Sequence, residues 1–122
     1  MIAQNSSECS TPRLPIRYFS DPFYLDRTYL SGLAYYDYPQ AYRSISVGDP
    51  LSLKREPENK HDRFAVAVHF CGRKLGYWPY PENKAIANMV DQKISVKARV
   101  VSIHPDKSEI YEALLAEAFV EM

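Results

Sequence analysis

The eight residues REPENKHD, Arg55 to Asp62, place two cations, three carboxylates, an amide and an imidazole directly ahead of the apolar alternation that starts at Phe64. Such a run can donate and accept hydrogen bonds and can meet charged partners. A second set is aromatic: Tyr35, Tyr36, Tyr38, Tyr42, Tyr77, Trp78 and Tyr80. Rings of this kind stack nucleic-acid bases for about 1–3 kcal/mol each, with little sequence preference. Arg55, Lys60, Arg63, Arg73 and Lys74 gather around the loop and the hairpin after it as a candidate phosphate-binding patch, although Glu56, Glu58 and Asp62 largely offset them.

Bond-making chemistry finds less support. His61, His69 and His104 are not spaced as metal ligands, and His69 with Cys71 is a lone pair in a predicted hairpin. His61 stands beside Asp62 without a nucleophile placed by any motif. The four glycines form no phosphate-cradling loop, and without a Walker sequence the chain is not a motor. The residues therefore read as those of a binding protein rather than an enzyme, with no metal and no cofactor.

Short β elements must carry these side chains. Tyrosine and leucine enrichment with little Gly or Pro predicts a first strand over Thr28 to Tyr36, and Pro39 ends it. Ala41 to Ser44 suits one helical turn, and Gly48-Asp49-Pro50 a tight turn. Leu51 and Leu53 alternate with Ser52 and Lys54 in a half-buried strand ending at Arg55. Pro, Asn and Asp make Glu56 to Asp62 a loop. A longer strand from Phe64 to Phe70 then turns at Cys71-Gly72-Arg73 into Lys74 to Trp78. In adjacent aromatic pairs on strands one ring faces inward, which leaves Tyr36 and Tyr77 as the exposed members. Pro81 to Asp91 has helical apolar spacing. Ile94 to Val100 alternates, but the apolar phase slips at Val101 and Ile103, so a bulge is predicted there. The end, EIYEALLAEAF, is built of helix formers, while its alternation of Leu114, Ala116, Ala118 and Val120 would also serve a strand.

The whole chain sets outer bounds. Its 122 residues, 46% hydrophobic and 25% charged, suit one folded domain over 23–122, behind a polar, Ser- and Pro-rich arm over 1–22. Fifteen basic residues balance fifteen acidic ones, so no global field draws the protein to a polyanion. Two cysteines are too few for a disulfide framework, and no leader-like or membrane-spanning apolar run appears. A reduced, cytoplasmic protein, monomeric and without membrane contact, is the expectation.

The order of motifs resembles the HIRAN domain family, whose members sit beside helicase-type ATPase motors and also stand alone in bacteria and phage. The resemblance rests on SGLAYY (31–36), GDPLSLKREPENKHDRFAVAV (48–68), GRKLGYWP (72–79), the helix ENKAIANMVD and the strand ISVKARVV. It implies a mainly β protein with one or two short helices, folded as a small OB-like six-stranded β-barrel. It also implies that the terminal segment is a barrel-closing strand.

Helicase-associated members hold the 3′-hydroxyl end of single-stranded DNA between stacked bases and a carboxylate. By resemblance the aromatic pair falls on Tyr35 and Tyr36, the end-sensing acid on Asp62 and the asparagine before it on Asn59. The chain departs from the pattern at Ala34, where a basic residue stands in the family, at Glu58 for asparagine and at His61 for an aromatic. Tyr77 and Tyr80 occupy the histidine and lysine positions. The nucleic-acid-binding set is thus Tyr35, Tyr36, Arg55, Asn59, His61, Asp62, Tyr77 and Tyr80. A carboxylate repels phosphate yet accepts a hydrogen bond from a hydroxyl, so Asp62 would favour a strand terminus over an internal nucleotide. Asn59 and Asp62 can equally serve the loop by bonding its own amides. The implied function is a non-catalytic module for single-stranded DNA or 3′-hydroxyl ends in repair or processing, with a separate helicase or nuclease as a possible partner. The alternative is a protein-interaction adaptor that has lost the end pocket.

Overall fold

The computed structural model describes residues 24–106 and 109–120, so the arm expected over 1–22 lies outside the described residues. Six strands form one antiparallel sheet: β1 Tyr24–Tyr29, β2 Pro50–Arg55, β3 Val66–Phe70, β4 Arg73–Tyr77, β5 Val96–Ile103 and β6 Leu114–Val120. Their spatial order is β1-β6-β5-β2-β3-β4. Two short helices join them, α1 Tyr38–Ala41 and α2 Asn83–Asp91. No helix among the described residues is long and apolar enough to cross a membrane.

The expected closed barrel does not form. The sheet is open, and among the described residues its edge strands meet only through an isolated bridge, in which Ser31 and Tyr77 exchange two backbone hydrogen bonds of 2.9 Å. The cause is local. Gly32 adopts φ +73° and starts a 3₁₀ turn over Leu33–Tyr35, so the chain leaves the β direction before more rungs can form. The same turn ends the first strand at Tyr29, not at Tyr36.

The terminal segment is a strand, as the resemblance implies, but a central one: β6 lies between β5 and β1 and closes nothing. Leu114, Ala116 and Ala118 are fully buried there, and that burial overrides the helix-forming composition. The predicted phase slip in β5 is present. Val100 pairs with Ala116 while Ser102 pairs with Leu115, so Val101 is the extra residue and Ile103 returns to the core side against Leu114.

Leu30, Leu33, Val66, Val68, Leu75, Trp78, Val100 and Leu114 are essentially inaccessible and make up the centre of the core. Each such side chain contributes about 1.5–3 kcal/mol by leaving water. Helix α2 begins two residues later than the sequence suggests and packs on β2, β3 and β5, burying Ile86 and Ala87. The β3–β4 hairpin turns where predicted, with Cys71 at φ +53° and Gly72 at φ +82°, the pair of positive values that matches strand twist.

Candidate nucleic-acid interface

Tyr36 is fixed by the backbone on either side of it. Before it stands the Ser31–Tyr77 bridge, and after it the Asp37 amide donates to the Lys74 carbonyl at 2.8 Å. These ties hold the Tyr36 ring against β4, edge-to-face with Tyr77 at 5.6 Å between centroids and 74° between planes. The Lys74 ammonium lies 4.6 Å from the Tyr36 centroid and 4.5 Å from that of Tyr77, within cation–π range of both. Alternating inside and outside rings were expected along this segment. Instead the 3₁₀ turn leaves both Tyr35, 83% exposed, and Tyr36, 37% exposed, outside, while Leu33 fills the core.

Glu56 organises the cluster. Its carboxylate accepts from Lys74 Nζ at 2.8 Å, from the Tyr77 hydroxyl at 2.7 Å and from Asn59 Nδ2 at 3.1 Å. Burial pushes the Glu56 carboxyl up, but the three donors outweigh it and hold the group down at about 2. Burial, reinforced by the Glu56 carboxylate and opposed by Lys74, raises the Tyr77 hydroxyl to about 12. Burial favours the neutral Lys74 amine, yet its bond to Glu56 prevails and keeps the ammonium charged.

The loop continues from this hub toward Asp62. Asn59 Oδ1 accepts from the amides of His61, at 2.8 Å, and Asp62, at 3.1 Å. Asp62 Oδ1 in turn accepts from the Phe64 amide at 2.8 Å, and Oδ2 from Asn83 Nδ2, at the start of α2, at 2.7 Å. The bond from Asn83 and the bond from the Phe64 amide lower the Asp62 pKa. Each carboxylate oxygen carries two lone pairs, so Asp62, half-buried, keeps acceptor capacity beyond these two bonds. It can accept a hydrogen bond from a hydroxyl and would repel a phosphate.

Of the sequence-predicted residues, the structure brings Tyr36, Tyr77 and Asn59 together and ties Asp62 to them through Asn59. Arg55 is engaged elsewhere, its guanidinium donating to Asp91 at 3.0 Å and to the Ala65 carbonyl at 2.8 Å. Its charge also helps to lower the Asp62 pKa. Tyr35, His61 and Tyr80 are exposed, and among the described residues their own side chains make no ring contact or hydrogen bond with the cluster, although the His61 amide donates to Asn59 Oδ1. Glu56 and Asn83 are the organising residues that sequence reasoning missed. Glu56 stands three residues before Asn59, a spacing that suits a turn, whereas nothing along the chain ties Asn83 to a loop 21 residues earlier.

Comparisons with known proteins agree with this geometry at the level of the fold. The family model of the HIRAN domain matches residues 26–118. A crystal structure of a protein from Lactobacillus plantarum, solved as a structural-genomics target, superposes with a TM-score of 0.65 at 26% identity, covering 79% of this chain and 94% of that one. The crystal structure of the HIRAN domain of human HLTF superposes with a TM-score of 0.58 at 22% identity, covering 78% of this chain and 74% of that one. No curated protein sequence matches the chain.

Proposed function

Because this chain belongs to the HIRAN domain family, we propose that it is a non-catalytic nucleic-acid-binding module that receives the 3′-hydroxyl end of single-stranded DNA in repair or processing. The observation that carries the reading is Asp62, an accessible carboxylate held by Asn83 and the Phe64 amide and linked through Asn59 to the Tyr36–Tyr77 pair. An end base stacks on the tyrosine edge, and the sugar hydroxyl donates to Asp62. An internal nucleotide, or an end carrying phosphate, brings negative charge to that carboxylate and is disfavoured. A helicase or nuclease on a separate chain fits as the partner that uses such an end.

Titration of a labelled oligothymidine ending in 3′-hydroxyl, beside the same strand ending in 3′-phosphate, tests the reading. The hydroxyl end is expected to bind about tenfold more tightly, the size of one charge-assisted hydrogen bond, and Asp62→Asn to erase most of that margin. Equal affinity for the two ends would overturn the end-sensing role. A second reading, a protein-interaction adaptor, is favoured by the neutralisation of Arg55 by Asp91 and of Lys74 by Glu56. Failure of both strands to bind at low salt would select it.

A further inference from the structure

The loop and α2 meet in two consecutive steps. In the first, Asn83 donates to Asp62. In the second, one residue further along each segment, Arg63 and Lys84 converge on the ring of Phe64, the guanidinium carbon 5.0 Å and the ammonium 5.3 Å from its centroid. Both cations are exposed, and among the described residues neither has a carboxylate within ion-pair distance. Arg55, Arg73 and Lys74 differ in this respect, being paired with Asp91, Asp37 and Glu56. The ring face attracts each cation but carries no net charge to neutralise it. An anion held by both would supply that neutralising charge.

We propose that Arg63 and Lys84 form a phosphate subsite for the phosphate on the 5′ side of the terminal nucleotide whose 3′-hydroxyl faces Asp62. The inference rests on the end-binding reading and extends it to the direction of the strand. The first step, Asp62 with Asn83, offers an acceptor that a hydroxyl satisfies. The second offers charge and N–H donors suited to phosphate oxygens. A terminal nucleotide carries the two groups in that order. Asn83, 2% exposed, is a positioning residue here, fixing Asp62 at the α2 boundary where Lys84 follows.

The test measures the affinity of the full chain for an oligothymidine with a 3′-hydroxyl across a range of salt. Wild type is compared with Arg63→Gln, Lys84→Gln and the double variant. A matching strand carries a neutral methylphosphonate in place of its last internucleotide phosphate, and a control strand carries it five nucleotides inward. Wild type is expected to bind the terminal methylphosphonate about tenfold more weakly, and the double variant to show no such difference. The slope of log affinity on log salt falls by about 0.7 for each phosphate of a single strand that the protein ceases to neutralise. Both side chains are exposed, so the variants should melt like wild type and keep the preference for 3′-hydroxyl over 3′-phosphate. A wild type that prefers the hydroxyl end yet ignores the terminal methylphosphonate overturns the subsite and leaves the end-binding reading standing. So does a double variant that still discriminates the methylphosphonate. Absence of binding to every strand overturns both.

Discussion

Glu56 shows how one side chain can set the geometry of a surface without facing a ligand. Its carboxyl is ordinarily near 4.5 and is held at about 2 in the fold. A depressed carboxylate contributes stability that is fully present above its unfolded value and is lost as pH falls through the folded one. The domain should therefore weaken between about pH 4.5 and pH 2. Glu56→Gln should cost roughly 1–2 kcal/mol at neutral pH, after allowing for partial exposure, and should flatten that acid slope. Urea unfolding of both proteins across this range measures it, and parallel pH profiles would count against the hub. Asp62 leads to a second expectation. Because Asn83 and the Phe64 amide hold it below the ordinary carboxylate range, it stays ionised in mild acid. The preference for a 3′-hydroxyl end should thus persist from pH 7 to about pH 4 on oligothymidine. Loss of the preference by pH 5 would mean that Asp62 is not the group responsible.

Between elements, the decisive contact is the approach of β4 to the segment after β1. A methyl group on Gly76 would clash with the Ser31 carbonyl oxygen and lie 3.1 Å from Leu33 Cδ2. Gly76→Ala should force Ser31 away from Tyr77, loosen Tyr36 and cost about 1–3 kcal/mol, the usual size of overpacking. For a domain of this size each kcal/mol is worth roughly 4–8 °C in thermal midpoint, so a melting curve decides it. An unchanged midpoint would show that the two segments do not need to be so close. The same junction explains what the sequence conceals. Local signals sufficed for β2, the β3–β4 hairpin, α2 and the β5 bulge, since alternation, turn residues and phase are properties of neighbouring residues. They failed at Gly32, where a glycine inside an aromatic run gave no sign of its positive φ, and at Leu114–Val120, whose strand state depends on β1 and β5. The candidate site divides in the same way. Asn59 and Asp62 declare themselves by turn chemistry, while Arg55 proves committed to Asp91 and Lys84 joins Arg63 only once α2 has docked.

At the scale of the molecule, one row of charge crosses β1, β6 and β5. Arg27, Glu117 and Arg99 are in register on these three strands, and Glu117 is fully buried. Glu117 Oε1 accepts from Arg27 Nη2 at 2.6 Å and from Nε at 3.1 Å, whereas Oε2 accepts no hydrogen bond among the described residues and has Arg99 Nη2 at 3.8 Å. Desolvating a carboxylate is expensive, and two guanidinium groups offset that cost. Glu117→Ala should therefore destabilise the fold by about 3–5 kcal/mol, the range for breaking a buried pair from one side. Arg27→Met combined with Glu117→Leu should recover only part of the loss, because buried Arg99 keeps its charge without Glu117. Chemical denaturation of Arg27→Met, Glu117→Leu and the double gives the coupling energy, and a coupling near zero would show that the row is incidental. In the sheet order this row is separated by β2 from the hairpin that carries Tyr77 and Lys74, and beyond β1 it meets that hairpin through the Ser31–Tyr77 bridge and the Trp78–Asp26 hydrogen bond. A folded Glu117 variant should therefore keep the wild-type ratio of affinities for 3′-hydroxyl and 3′-phosphate ends. A changed ratio would mean that the two halves of the open sheet are coupled, with strand-end recognition belonging to the whole sheet and not only to the loop and α2.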